Sequence, residues 1–74
     1  MIITDAEKAK IENQFTYHAP KGDQTSRYAF LRDEAKDLAF SIMAKCPDSR
    51  ERSLALTKLE EAVMWANASI ARNE

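Results

Sequence analysis

The chain is poor in everything that cross-links a small protein. It has one cysteine, Cys46, so no intrachain disulfide can form, and a lone thiol suits a reducing, intracellular setting. One histidine, His18, is the only other soft metal donor, against the four ligands of a closed zinc site. Neither metal nor cofactor is therefore expected. The single glycine, Gly22, leaves no Gly-rich loop to cradle phosphates. With 11 Lys+Arg against 12 Asp+Glu, there is no basic excess to neutralise DNA or long RNA. No apolar run of about 18 residues occurs, and no basic start precedes an apolar stretch. Those absences predict a soluble chain that neither enters a membrane nor is exported. Nucleophilic catalysis needs Ser, Thr or Cys beside a positioned base, and one His is a thin supply. The chain reads as a binder, not an enzyme.

At 74 residues there is room for one domain. A core of that size is marginal without disulfides, metal or partner subunits. With the first two excluded, association with further copies is the expected way to complete the core.

What is present is helix. Thr4–Glu7 has the capping-box pattern, and a short helix follows within residues 1–14, with only Ala6, Ala9 and Ile11 to bury. Residues 15–23 form a loop. Asp23 or Thr25 can cap the next helix, residues 24–45, on which Tyr28, Leu31, Ala35, Leu38, Ile42 and Cys46 make one apolar stripe. Pro47 stops it. Asp48–Glu51 has a second capping-box pattern, and residues 49–72 carry the stripe Leu56, Leu59, Val63, Ala66 and Ile70. Joined by KCPD, the two long helices predict an antiparallel hairpin in an all-α domain spanning residues 1–74.

The hairpin has more apolar surface than one stripe per helix can bury. Phe30 and Phe40 fall outside the first stripe, and Leu54 and Trp65 lie nearly opposite the second. Two readings stand: other copies cover those faces, or the first helix and the loop do. Ala62, Ala66, Ala68 and Ala71 are small enough to admit another helix closely.

The irregular stretch NQFTYHAPKGDQ, residues 13–24, holds the only His, the only Gly, Pro20 and two aromatics. Just beyond it, Arg32 and Lys36 are four apart and flank the Tyr28 stripe. Tyr17 and His18 from the loop, with Lys21 and Arg27 close in sequence, complete a set of aromatic faces and cations. Such a set suits a small nucleotide, the rings stacking on bases and the cations pairing with phosphates. Pro20 and Gly22 would hold Tyr17 in place. Each residue also has a plainer reading. Phe15 and Tyr17 can plug the end of the hairpin, His18 can fix the loop, and Arg32 and Lys36 can pair with neighbouring acids. Asn67 can set helix register or contact a ligand, and Arg72 can serve a helix C-terminus.

The segments FTYHAPKGDQ, RYAFLRDEAKDLA and SRERSLALTKLEEAVMWANASIARNE, in that order, resemble the hairpin-domain family of phage anti-CBASS and anti-Thoeris sponges. CBASS is a bacterial defence in which cyclic nucleotides made during infection activate a killing effector. The resemblance implies a compact helical protein, assembled as a homo-oligomer and typically a hexamer, with pockets between protomers. It implies binding of cyclic dinucleotides such as 3′,3′-cGAMP without cleavage, in the cytoplasm of an infected bacterium. Some members also take cyclic trinucleotides at a separate site, and relatives capture cyclic ADP-ribose signals. By the same resemblance Tyr17 stacks on a base, and Arg32 or Lys36 meets a phosphate. His18 and Pro20 shape the pocket, and Arg72 with a polar residue of a neighbouring chain makes the trinucleotide site; Tyr28, on the first apolar stripe beside them, is a further candidate ligand contact. The competing reading is a helical adaptor that binds a host protein through its Trp65 face.

Overall fold

The computed structural model describes residues 2–74 and contains three helices, with no strand among the described residues. Helix α1 spans Asp5–Gln14, α2 Gln24–Lys45 and α3 Arg50–Asn73. The first begins with a complete capping box. Thr4 Oγ1 accepts from the Glu7 amide at 3.1 Å, and Glu7 Oε1 accepts from the Thr4 amide at 3.0 Å. That amide bond, with the Thr4 hydroxyl second, holds the Glu7 carboxyl below its ordinary range.

The other two starts differ from the sequence expectation. Asp23 is the N-cap of α2, but neither its carboxylate nor Thr25 caps the helix. The Asp23 carboxylate instead accepts from Arg27 Nε at 3.2 Å. At α3 the cap is Ser49, whose Oγ accepts from the Arg52 amide at 3.1 Å. Asp48 pairs with the Arg52 guanidinium at 3.2 Å, so the expected box from Asp48 to Glu51 does not form. Arg52 also donates to the carbonyls of Met43 and Cys46, at 3.4 and 3.2 Å, closing the C-terminal end of α2. Because Ser49 supplies the only side-chain cap at that start, Ser49→Ala should cost about 1 kcal/mol. The check is a lower urea midpoint, measured at fixed protein concentration.

Helices α2 and α3 pack as an antiparallel pair. On α3 the whole expected stripe, Leu56, Leu59, Val63, Ala66 and Ile70, is half-buried. On α2 Tyr28, Leu31, Ala35 and Ile42 are half-buried, but Leu38 and Cys46 are exposed, and Ala39 takes Leu38's place on the seam. At 100° per residue, position 39 lies closer to the line from Tyr28 to Ala35 than position 38 does.

No apolar side chain among the described residues is fully buried. The principal extents are 50 × 36 × 13 Å, so the chain is a plate about one helix thick. Its radius of gyration is 16.6 Å, where a compact chain of this length would have about 11 Å. The accessible surface is 6187 Å², whereas a folded monomer of this mass exposes about 4,600 Å². Neither α1 nor the loop covers the back faces of the hairpin. Phe30, Phe40, Leu54 and Trp65 remain 63%, 69%, 40% and 62% exposed.

Candidate functional site

The end of the plate where α1, the loop, the start of α2 and the end of α3 meet is built from polar contacts. Asn13 Nδ2 donates to the Arg72 carbonyl at 3.1 Å, and Arg72 Nη2 donates to the Gln14 carbonyl at 3.5 Å. Arg72 thus places its positive charge at the C-terminus of α1, where the helix dipole favours it. His18 Nε2 donates to the Asn13 carbonyl at 2.9 Å and ties the loop back to α1. Beyond it the chain turns at Lys21–Gln24, closed by the Gln24 amide on the Lys21 carbonyl at 3.1 Å. Gly22 sits second in that turn with φ +58°, a backbone setting that glycine adopts without strain.

The most buried residue described is polar. Gln24 is 3% exposed; its Oε1 accepts from the Lys21 amide and its Nε2 donates to Glu74 Oε1, each at 3.1 Å. Arg27 completes the clasp with a two-pronged contact to Glu74, one prong at 2.8 Å. Arg27, and then Gln24, pull the Glu74 carboxyl down to about 2 from an ordinary 4.5, while the same contact raises the Arg27 guanidinium. Arg27 is therefore committed to the clasp and does not join the candidate ligand cations.

A carboxyl whose pKa is depressed by folding adds stability above its unfolded value and loses it as pH falls through the folded one. The Glu74 contribution is thus full above about 4.5 and lost on approach to about 2. The protection of the Lys21 and Gln24 amides, taken relative to their intrinsic exchange rates, should fall over that window. Glu74→Gln should show fast exchange already at neutral pH, and equal protection in the two proteins would remove the clasp as the loop's anchor.

Over this scaffold lies a cleft of about 340 Å³ lined by Gln14, Thr16, Tyr17, His18, Tyr28, Asn67, Ala68, Ala71 and Arg72. Of the residues singled out in the sequence, it brings together Tyr17, His18, Tyr28, Asn67 and Arg72. Arg32 and Lys36 line a neighbouring groove of about 400 Å³ with Leu56, Glu60 and Met64. They stand one and two turns further along α2 than Tyr28, about 6 and 12 Å away along the axis. Pro20 lines neither and is exposed. Phe15 and Tyr17 are 85% and 83% exposed, so neither plugs the hairpin. Asn67 lines the cleft, and its Oδ1 is buried with no hydrogen-bond partner.

A third groove, about 580 Å³, shares Ala35, Leu59 and Val63 with the second but opens on the other flank of the seam. Leu31, Leu38, Ala62 and Ala66 line it, with Glu34 and Asp37. Those carboxylates would repel phosphate, and the small alanines suit a packed helix.

The clasp is what sequence reasoning missed. Gln24 and Glu74 lie 50 residues apart, and no local pattern couples them. Asn67 was legible as a polar residue close to an apolar stripe.

A model of the family described as Acb2/Tad1, hairpin domain, matches residues 7–71 of the chain. No curated protein and no solved structure matches it.

Proposed function

Since the chain belongs to the Acb2/Tad1 hairpin-domain family, the anti-CBASS and anti-Thoeris sponges, we propose that it sequesters cyclic dinucleotides such as 3′,3′-cGAMP without cleaving them. Held ligand is withheld from the CBASS effector, so the activity requires affinity and no turnover. The observation that carries this reading is the cleft joining Tyr17, His18 and Tyr28, with Arg32 and Lys36 one and two turns beyond. Tyr17 stacks on a base. Arg32 and Lys36 meet the two phosphates, whose charge a few cations can balance. His18 and Pro20 hold the loop in shape.

The working unit in this proposal is a homo-oligomer, a hexamer, acting in the cytoplasm of the infected bacterium. The exposed Phe and Trp faces and a surface about 1,600 Å² larger than a compact monomer's support assembly. A standard interface takes about 800 Å² from each partner, so the excess is enough for two contacts per chain. Arg72, at the rim of the cleft, is the candidate anion ligand for a cyclic trinucleotide shared with a neighbouring chain.

The test is a calorimetric titration with 3′,3′-cGAMP in reducing buffer, with a cyclic ADP-ribose signal as a parallel arm. Saturation at fewer than one ligand per chain, with intact ligand recovered after denaturation, is the expected result. Arg32→Ala and Lys36→Ala should weaken it and flatten its salt dependence. Linear product accumulating with time would overturn sequestration. Heat only in the second arm would move the ligand to the cyclic ADP-ribose class.

A further inference from the structure

Helix α1 is an arm that its own chain barely touches. The extensive helix packing is between α2 and α3, and every residue of α1 is exposed except Asn13, the half-buried donor to the Arg72 carbonyl. A helix of ten residues is marginal in water unless something packs against it. Its apolar side chains do not face the hairpin. At 100° per residue, Ile11 and Phe15 each lie about 160° from Asn13, and they are 48% and 85% exposed. Lys8 stands one turn before Ile11 on that outward face and makes no ion pair among the described residues. The Glu7 carboxylate is turned back onto Thr4. The outward face of α1 therefore offers two apolar side chains and an unpaired cation.

The 580 Å³ groove has the complementary features. Leu31, Leu38, Leu59 and Val63 make it apolar, and Glu34 and Asp37 stand in it without an ion-pair partner among the described residues. Along α2 it runs from Leu31 to Ser41, about 15 Å at 1.5 Å per residue, which is also the length of α1. The groove on the other flank carries Arg32 and Lys36, which would repel Lys8. No residue of α1 lines the acidic groove within its own chain. Resting on the assembly proposed above, we propose that α1 of one copy lies in the Leu31–Ser41 groove of another, with Ile11 and Phe15 on its apolar floor and Lys8 against Glu34 and Asp37. Each chain gives one arm and receives one, so a closed assembly leaves no arm unpacked and no groove empty. Phe15 is two residues from Tyr17, so a seated arm also fixes the start of the loop that carries the stacking ring. Assembly and ligand binding then share one element.

The test locates the arm and then reverses its charge complement. Cys46 is the only cysteine and is exposed, so Cys46→Ser gives a full-length background without thiols. In that background Ile11→Cys chains are mixed with Leu38→Cys chains, or with Met64→Cys chains as the control from the opposite groove, and oxidised. A cross-linked pair should form with Leu38→Cys and not with Met64→Cys. In sedimentation, Ile11→Glu should weaken association by roughly 10- to 150-fold, the value of one large apolar side chain left out of an interface. Adding Glu34→Lys and Asp37→Lys to that chain should recover part of the loss, which damage confined to α1 could not explain. A cross-link to Met64→Cys, or to neither, overturns the proposal. So does unchanged association in Ile11→Glu, or a loss that the two lysines leave as it was. A wild type that stays monomeric at every concentration removes the assembly reading, and this inference with it. A wild type that assembles without the cross-link to Leu38→Cys removes this inference alone.

Discussion

Tyr17→Ala should weaken cyclic dinucleotide binding by roughly 5- to 150-fold, the value of one base stacked on an aromatic ring. The fold should be untouched. Tyr17 is 83% exposed and makes no hydrogen bond through its hydroxyl in the described structure, so its removal opens no cavity. The loop around it is held by other groups: His18 on the Asn13 carbonyl, the Lys21–Gln24 turn, and the clasp of Gln24, Arg27 and Glu74. Tyr17→Phe keeps the ring and should bind nearly as wild type. Helicity and melting temperature followed beside the titration separate the two effects. Full affinity in Tyr17→Ala would take the stacking role away from the loop. A loss of affinity that tracks a loss of helix would show the residue to be structural.

Phe40→Glu combined with Trp65→Glu should reduce the protein to monomers. Phe40 is 69% and Trp65 62% exposed on faces that nothing else in the chain covers. Fully burying one large apolar side chain is worth about 1.5–3 kcal/mol, so losing two per protomer weakens association on the order of 10²- to 10⁴-fold. Sedimentation velocity across a dilution series reads the result directly. Wild type should sediment as an oligomer with a melting temperature that rises with concentration. The double variant should be monomeric, less stable and poor at binding nucleotide. A wild type that remains monomeric at every concentration would sink the assembly reading and favour the adaptor through the Trp65 face.

The helical plan was legible because it rests on local rules. Apolar spacing of three and four set the seam, and Pro47 ended α2 because the helix could not continue through it. The two aspartate capping errors share one cause. Asp23 and Asp48 are good N-caps by type, yet each has an arginine four residues on, Arg27 and Arg52, and each carboxylate turns to that cation. The starts capped by side chains use Thr4 and Ser49, neutral hydroxyls that no guanidinium draws away. A cap rule that weighs i,i+4 attraction would have put the second cap at Ser49. The exposure of Leu38 has a similar lesson: a stripe fixed by spacing tolerates a one-residue choice, and the seam took the smaller Ala39.

At the site, the antiparallel hairpin explains why Tyr28 meets Asn67 and Arg72, since the start of one helix must lie beside the end of the other. Tyr17 and His18 could be assigned to that end because the loop feeds directly into α2. Glu74 could not, because a salt bridge across 47 residues leaves no trace in local spacing. Nor could the unpaired state of Asn67 Oδ1, which depends on where every neighbouring donor points.

A plate 13 Å thick has no inside. Whatever is cut into it is an open groove, and a ligand lying there keeps one side in water until a second wall arrives. If that wall is another copy of the chain, the ligand leaves only when subunits part or breathe. The residence time of a captured signal is then set by the stability of the seam between chains as much as by the contacts to the base and phosphates. Substitutions far from the cleft that loosen that seam would release the signal sooner while leaving each contact within one chain intact.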